Sequence, residues 1–350
     1  MMKIIKYGLN SRLWFREFEK NFYSKLAPRL KPTYKTSINY LGKSFSFFIF
    51  ENKGVRNLCM FDVDDGSGLS EASCLINYDF LNKLMKENDV KDYLIFKSQF
   101  NRNYLYSEYY KNINKAIPLG YFPENIKSIY KFKKRLKKRE VKRDFDLFWI
   151  GSVIYNMGEG MIWPKKRSLN YWNYGKRLAG FKALQEISEK RTDLKIICTD
   201  KKTPLKEYYN LISRSKICFD FPGVGELTKR FIECLILEKC VMSFKKKQEL
   251  NFDLKENYHY ISIEEDNDIE YTYDTEQNKT YPDCYTIKNL KIAPKNSLID
   301  KINSHIDSSI NNLELIETIE KNVSEIQKYL TSDYLISYIR EKALKYFFPK

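Results

Sequence analysis

The chain has 350 residues, and 61 Lys and Arg against 45 Asp and Glu give it a formal net charge of +16. This length suits two domains better than a single hydrophobic core. The charge favours anionic partners such as phosphates, nucleic acid or an acidic membrane face, although a Lys-rich source genome explains the same excess. The 2 histidines and the 7 scattered cysteines, which form no C-x-x-C pair, argue against His-centred catalysis, zinc sites and a disulfide framework.

Strand-like and helix-like segments alternate in the first half of the chain. Buried apolar runs predict strands, and apolar residues three and four positions apart predict helices. The predicted strands are 44–50, 57–63 and 92–97, the extended segment is 116–122, and the predicted helices are 78–86 and 102–111. This alternation predicts an α/β domain over residues 1–130.

Residues 131–143 form the densest basic run of the sequence, KFKKRLKKREVKR. Three interpretations stay open: a solvated helix or linker between domains, a patch attracted to an anionic membrane face, and a nucleic-acid site. Nucleic acid ranks last, because the sequence contains no RRM, KH or helix-turn-helix pattern. We therefore treat the run as a basic linker.

The alternation restarts in the second half. The pattern predicts strands at 144–151, 193–200 and 258–263, helices at 171–190 and from Thr203 to Ser213, and a helical tail from about Asn296. Residues 264–295 are irregular and allow no assignment. The sequence thus predicts a second α/β domain over residues 144–300, followed by C-terminal helices over 301–350 that pack back on the first domain.

Two successive βαβ-type halves predict a fold of two Rossmann-like parallel-sheet domains that face each other across a cleft. In such sheets, ligands bind beyond the carboxyl ends of the strands. The most informative stretch is 215–243, where an apolar strand (217–221) leads through the turn Pro222–Gly225 into a predicted helix over 226–238. A strand, a glycine turn and a helix N-terminus form a place where backbone N–H groups can meet an anion.

One face of that predicted helix carries Glu226, Arg230 and Glu233. Taken alone, this spacing is typical of surface ion pairs worth only about 0.3–0.5 kcal/mol. The glycine turn before the helix and the apolar strands on both sides favour a binding site instead. Arg presents a planar donor fork to phosphate oxygens, and a carboxylate can accept hydrogen bonds from two vicinal hydroxyls.

Several of these segments together resemble a known family. The motifs are Ser215-Lys-Ile-Cys-Phe, Gly223-x-Gly225, Arg230-Phe-Ile-Glu233 and Cys240-Val-Met, preceded by Phe148-Trp-Ile-Gly151 and a helix with Lys176-Arg177. Over residues 144–245 they resemble the donor-binding half of GT-B glycosyltransferases, in the exostosin-like pattern. The resemblance implies a GT-B-type fold in which the first domain binds the acceptor and the second binds a nucleotide sugar.

The resemblance also implies roles for individual residues. Glu233 would bind the ribose, while Arg230 and Arg177 would meet the diphosphate. Gly151, Gly223 and Gly225 would let the backbone approach the ligand closely. Many retaining GT-B enzymes carry two glutamates with seven residues between them. The partner position of Glu233 is Gly225, so we expect an inverting reaction. The donor-half pattern also implies that the diphosphate is bound without a metal ion.

An inverting displacement needs a base, normally Asp or Glu where His is scarce. Asp62 and Asp64 follow an apolar strand in the first half and are the candidates for this base. Two other interpretations of Asp62-Val-Asp64 stay open. One is a polar loop at a strand end. The other is the metal-binding D-x-D motif of the GT-A fold, which would hold Mn or Mg against the diphosphate.

The sequence therefore predicts a glycosyltransferase that moves a sugar from a nucleotide diphosphate to a glycan or lipid-linked acceptor, in surface polysaccharide or glycoconjugate synthesis. No metal or cofactor is expected beyond this co-substrate. The alternatives are a GT-A-like metal-dependent transferase and a non-enzymatic polyanion or nucleic-acid binder. No apolar run suits a signal peptide or a membrane span, so we expect a cytoplasmic protein, including the inner face of an anionic membrane.

Overall fold

The computed structural model of the chain is α/β and contains two compact units. It describes residues 3–8, 13–31, 39–40, 43–62, 81–98, 100, 115–120, 126–137, 141–156, 158–165, 168–169, 172–223, 226–265, 267–280 and 282–349. Unit 1 comprises Met1–Ile126, Lys247–Asp253 and Gln327–Lys350, and unit 2 comprises Lys127–Lys246 and Leu254–Ile326. Among the helices of these described residues, none has the length and apolarity needed to cross a membrane.

The chain's strands and helices follow one another in an α/β pattern. The strands are β1 (Lys3–Gly8), β2 (Asn39–Tyr40), β3 (Lys43–Asn52), β4 (Val55–Asp62), β5 (Asp92–Lys97), β6 (Ala116–Pro118), β7 (Phe145–Ile150), β8 (Ile162–Pro164), β9 (Ile196–Thr199), β10 (Ser215–Asp220), β11 (Cys240–Phe244), β12 (Ile261–Ile263), β13 (Ile269–Gln277) and β14 (Cys284–Pro294). The helices are α1 (Leu13–Leu26), α2 (Ile126–Leu136), α3 (Asn173–Lys190), α4 (Leu205–Ser213), α5 (Lys229–Ile236), α6 (Asn296–Ile310), α7 (Leu313–Ile326) and α8 (Ser332–Phe347). Residues 81–87 are also helical, and Gln327–Leu330 form a 3-10 turn.

The sheet of unit 1 is mixed, so the fully parallel sheet predicted for the first half is wrong. Its strands run in the order β1-β3-β4-β5-β6, with β2 on β3. Only β4, β5 and β6 are mutually parallel, whereas β3 is antiparallel to β1, β2 and β4. The antiparallel pairing of β3 with β4 follows from the two-residue turn Lys53-Gly54, where both residues have positive φ, 51° and 74°. Such a turn closes a tight hairpin and forces its two strands to run antiparallel.

The core of unit 1 is rich in aromatic rings. Phe18 and Phe22 of α1 pack against Phe48 of β3 and Phe61 of β4, with ring centroids 5.2–6.4 Å apart. All four side chains are fully buried. The C-terminal helix α8 belongs to the same unit, because the hydroxyl of Tyr338 donates to the carbonyl of Pro118 at 2.9 Å, at the end of β6.

Unit 2 contains the parallel sheet predicted for the second half. Its five strands are all parallel and have the order β12-β11-β10-β7-β9. In chain order this sheet reads 2-1-3-4-5, so the direction of winding reverses between β7 and β10. That reversal is a topological switch point, the place where open α/β sheets bind their ligands.

Two local features of unit 2 differ from the sequence expectations. Residues 264–295, which allowed no assignment, contain the antiparallel hairpin β13–β14, and β14 also pairs with β8. Helix α5 begins at Lys229 instead of Glu226, because the Oγ1 of Thr228 accepts a hydrogen bond from the N–H of Phe231 at 3.0 Å and caps the helix. Glu226 therefore lies outside the helix, and the predicted helical face is shortened to Arg230 and Glu233.

Candidate anion-binding site

The candidate site of unit 2 lies at its switch point, where β7 ends at Ile150 and β10 ends at Asp220. These strands are neighbours in the sheet, and Gly151 and Phe221 follow them directly. Helices α3 and α5 begin close to these strand ends. The structure therefore brings the predicted residues Gly151, Arg177 and Arg230 together at one edge of the sheet.

Arg177, near the start of α3, connects the segments that follow the two strands. Its Nε donates to the carbonyl of Pro222 at 2.7 Å, and its Nη1 donates to that of Ser152 at 3.3 Å. Burial and the positive charge of Arg230 lower the pKa of Arg177 to about 10, against the opposing effect of Asp220. Burial is the larger cause of the lowered pKa, and the second is repulsion between the two guanidinium groups, which a bound anion would relieve.

Arg230, in the first turn of α5, is the more deeply buried of the two and is 7% exposed. Its Nη2 donates to the carbonyl of Ile150, and its guanidinium carbon lies 4.8 Å from the centroid of the Trp149 ring. Its Nη1 is 3.8 Å from Oδ1 of Asp220. Within the described part of the chain, Nε and Nη1 of Arg230 are buried and lack a hydrogen-bond acceptor. Buried donors of this kind are normally satisfied, so an oxygen-rich ligand would complete this arginine.

Gly151 is a steric requirement of this arrangement. A Cβ at this position would overlap Nη2 of Arg230 and lie 3.0 Å from the Trp149 ring. The absence of a side chain at Gly151 therefore allows the arginine to reach the carbonyl of Ile150. The close approach of the Gly151 backbone to a ligand stays a prediction.

Asp220 supplies the negative charge beside Arg177 and Arg230, and the sequence analysis did not single it out. It is fully buried, Thr228 donates to its Oδ1, and Nζ of Lys246 lies 2.9 Å from its Oδ2. Ser243 donates to its backbone carbonyl at 2.7 Å. An aspartate at the end of an otherwise apolar strand was the available signal, because Asp is rarely fully buried without partners.

Several positive charges surround Asp220. Three cations, Arg177, Arg230 and Lys246, act on this one carboxylate. Arg230 and Lys246 are both more than 90% buried, so solvent screens their excess positive charge only weakly. We call these four residues the arginine cluster; its net charge suits an anion with several oxygens.

Glu233 lies one turn beyond Arg230 on α5 and faces a different neighbour. It is 2% exposed, and its Oε1 accepts a hydrogen bond from the hydroxyl of Tyr209 on α4 at 3.2 Å. Its role towards ribose stays a prediction. Gly223 is half-buried beside Pro222, whose carbonyl accepts from Arg177. Gly225 lies outside the described residues.

The candidate base Asp62 belongs to unit 1. It ends β4 beside Lys97, its register partner at the end of the parallel strand β5, and the Lys97 Nζ is 3.1 Å from its Oδ1. Both side chains are at most 3% exposed. Asp64 lies outside the described residues, and the described part of the chain contains no group of three His, Cys, Asp or Glu that could hold a metal ion. The roles of Asp62 and Asp64 as base stay predictions.

Comparison with known proteins adds little to this geometry. No family model matches the sequence, and no curated protein matches it either. Among solved structures, the chain is similar to a sucrose-phosphate synthase from Thermosynechococcus elongatus, with a TM-score of 0.36 and 9% sequence identity, over 79% of this chain and 72% of that chain. At this level of similarity, the site itself has to indicate the function.

Proposed function

We propose that the arginine cluster binds the diphosphate of a nucleotide sugar and that the protein is a glycosyltransferase. One observation carries the proposal: two arginines from different helices converge at the switch point of a parallel sheet, and the deeper one, Arg230, keeps buried donors without an acceptor among the described residues. Switch points of such sheets are where nucleotides bind in this architecture. The resemblance of residues 144–245 to the donor half of GT-B enzymes points to the same ligand.

The chemistry follows from where charge develops. When the bond between the sugar anomeric carbon and the diphosphate oxygen breaks, the bonding electrons stay on that oxygen and the leaving group gains negative charge. Buried cations that are fixed in advance stabilise such a charge without reorganisation. Arg177, Arg230 and Lys246 supply this stabilisation in our proposal, so the reaction needs no metal ion to neutralise the diphosphate.

The acceptor half of the reaction rests on the sequence alone. An acceptor hydroxyl of a glycan or glycolipid forms the new bond to the anomeric carbon, and its proton passes to a carboxylate base. We propose direct displacement with inversion, in the synthesis of surface polysaccharide or glycoconjugate. Asp62 and Asp64 remain the proposed sources of the base, and Glu233 the proposed ribose contact.

Calorimetry with pyrophosphate and with nucleoside diphosphates tests donor binding. We expect Arg230→Gln and Arg177→Gln each to weaken the affinity by at least about thirtyfold, because truncating one partner of a buried charged contact costs about 2 kcal/mol or more. Lys202→Gln, which removes a solvent-exposed charge from the same unit, should change it by less than threefold. A change below threefold in both arginine variants would falsify the proposal.

Two further measurements separate the transferase from its alternatives. Thermal-shift screening across nucleotide sugars should identify a donor that raises the melting temperature, because a ligand that binds only the folded state stabilises it. Release of nucleoside diphosphate from that donor should then be lost in Arg230→Gln. Tight, steeply salt-dependent binding of nucleic acid that persists in Arg230→Gln, without any donor binding, would favour the polyanion-binding alternative.

A further inference from the structure

A cavity of unit 2 lies at the amino-terminal ends of its parallel strands, opposite to the arginine cluster. It has a volume of about 680 Å³ and is lined by α2, the segment before β7, and α4. Arg214, which lines the cavity, directly precedes β10, and its carbonyl accepts a hydrogen bond from the N–H of Phe145 at the start of β7, at 3.2 Å. The cavity therefore lies at the amino-terminal ends of β7 and β10. The volume lies within the range of about 300–1,000 Å³ that is typical of small-molecule sites.

One part of the cavity wall is apolar. Phe132 and Leu136 of α2 and Val141 before β7 line it, and all three are half-buried. The Phe132 ring packs against Tyr209 at 5.5 Å between centroids, so this wall is anchored to α4. An apolar wall of this kind offers a place for the hydrocarbon or aromatic part of a ligand.

The rest of the lining is charged, and its charges do not cancel. Its four cations and two carboxylates leave an excess of two positive charges: Arg135, Lys142, Lys206 and Arg214 against Asp144 and Glu207. Arg214 makes two contacts of 2.7 and 2.8 Å to Asp144, and Lys142 lies 3.8 Å from the same carboxylate. Arg135 on α2 and Lys206 on α4 form no ion pair or hydrogen bond within the described part of the chain. The two unpaired cations thus come from different helices at the rim of one cavity.

We propose that this cavity is a binding site for a phosphate monoester attached to an apolar group. A phosphate monoester carries a charge of about −1.5 to −2 at pH 7 and three acceptor oxygens, which matches two unpaired cations on separate helices. The apolar group would lie against Phe132, Leu136 and Val141. The proposal does not rest on the proposed donor site, because the cavity lining shares no residue with the arginine cluster. A soluble phosphate ester and a lipid phosphate both have this chemistry.

The test uses dioctanoyl phosphatidic acid below its micelle concentration, with the full chain and calorimetry. We expect the charge variant Arg135→Gln/Lys206→Gln to weaken binding by at least tenfold. The matched control is Lys131→Gln/Lys134→Gln, which removes the same charge from exposed residues outside the cavity lining, and it should change binding by less than twofold. The cavity-filling variant Val141→Trp keeps every charge and should also abolish binding. Inorganic phosphate should bind at least tenfold more weakly than the lipid.

Several outcomes would overturn the site. Equal losses in the two double variants would mean that general charge attraction, and not the cavity, holds the ligand. Unchanged binding in Val141→Trp, with far-UV circular dichroism like that of the unmodified protein, would exclude the cavity as the location. Flotation with phosphatidic acid vesicles then separates the two sources. If the protein binds the vesicles and Arg135→Gln/Lys206→Gln does not, the ligand of the site is a membrane lipid. If the protein binds the short-chain lipid but not the vesicles, the ligand is a soluble ester.

Discussion

The two units each contain a buried ion cluster at the carboxyl ends of parallel strands, and the contacts of the two clusters differ. In unit 1, Nζ of Lys97 lies 3.1 Å from the carboxylate of Asp62, and both side chains are almost fully buried. In unit 2, three cations, Arg177, Arg230 and Lys246, act on the carboxylate of Asp220, and Nε and Nη1 of Arg230 lack an acceptor within the described part of the chain. The same position in an α/β sheet therefore holds a Lys–Asp contact in one unit and an arginine with unsatisfied buried donors in the other.

This difference is why we propose an anion site in unit 2. A Lys–Asp contact joins the ends of two strands and needs no ligand to do so. A buried donor without an acceptor is costly, and a bound anion would supply the acceptor. Position in the fold alone does not distinguish the two clusters, whereas the unsatisfied donors of Arg230 do.

The largest expected effect concerns the Lys97–Asp62 contact. Asp62→Asn removes the carboxylate beside the buried Lys97 and should lower the free energy of unfolding by about 3–5 kcal/mol, because a buried charge then loses a counter-ion. Urea denaturation measures this. The matched control in the same sheet is Asp92→Asn, whose partner Lys115 is partly exposed, and it should cost about 1 kcal/mol or less.

A measurement of pyrophosphate affinity on the same variant shows whether Asp62→Asn affects the arginine cluster. Folded Asp62→Asn protein should bind pyrophosphate as the unmodified protein does. An effect on stability no larger than that of Asp92→Asn, together with loss of transfer activity, would contradict the structural role of the pair. It would instead support the role of Asp62 as base.

A smaller effect is expected from Gly151→Ala, which changes the position of Arg230 without changing any charge. Gly151→Ala places a methyl group where Nη2 of Arg230 lies, so the arginine has to leave the carbonyl of Ile150. We expect pyrophosphate affinity to fall by about tenfold, or about 1.4 kcal/mol. Ser152→Ala, at the next position, is the control and should leave the affinity within twofold. An unchanged affinity in Gly151→Ala would show that the position of Arg230 does not matter for the anion.

The smallest expected effect is that of Glu233→Gln, which tests whether Glu233 contacts ribose. If Glu233 contacts ribose, Glu233→Gln should weaken the affinity for a nucleoside diphosphate by about threefold to tenfold. The affinity for pyrophosphate should stay the same or rise, because the substitution removes a nearby negative charge. Tyr209→Phe removes the same hydrogen bond from the α4 side and serves as control. Parallel changes for both ligands, equal in the two variants, would show that Glu233 only positions α5 against α4.

Much of the parallel sheet of unit 2 could be predicted, because apolar runs bounded by turns mark buried strands and the intervening helices have a clear period. The mixed sheet of unit 1 depended on two residues, Lys53 and Gly54, whose left-handed conformations close a hairpin. The hairpin β13–β14 was missed because one of its faces is exposed and polar, so its strands lack an apolar run. Its signal was the alternation of exposed and half-buried residues along IEYTYDTEQ.

The candidate site was predictable only in part. The spacing of Arg230 and Glu233 placed both on one helix, but the direction of each side chain depended on where Thr228 starts that helix. Thr228 and Lys246 contact Asp220 from 8 and 26 positions further along the chain, and Arg177 acts on it from α3, earlier in the chain. The order of the strands brings these segments together. A single sequence does not encode that proximity in any local pattern.

The division of the chain between the units has a consequence for synthesis on the ribosome. Unit 1 contains Met1–Ile126, but it also contains α8, whose Tyr338 donates a hydrogen bond to the carbonyl of Pro118, 220 positions earlier. Both segments of unit 2 have been made once Ile326 has been added. The early segment of unit 1 is therefore made before the helix that completes its packing. Its aromatic core is the surface that chaperones would have to shield in the meantime.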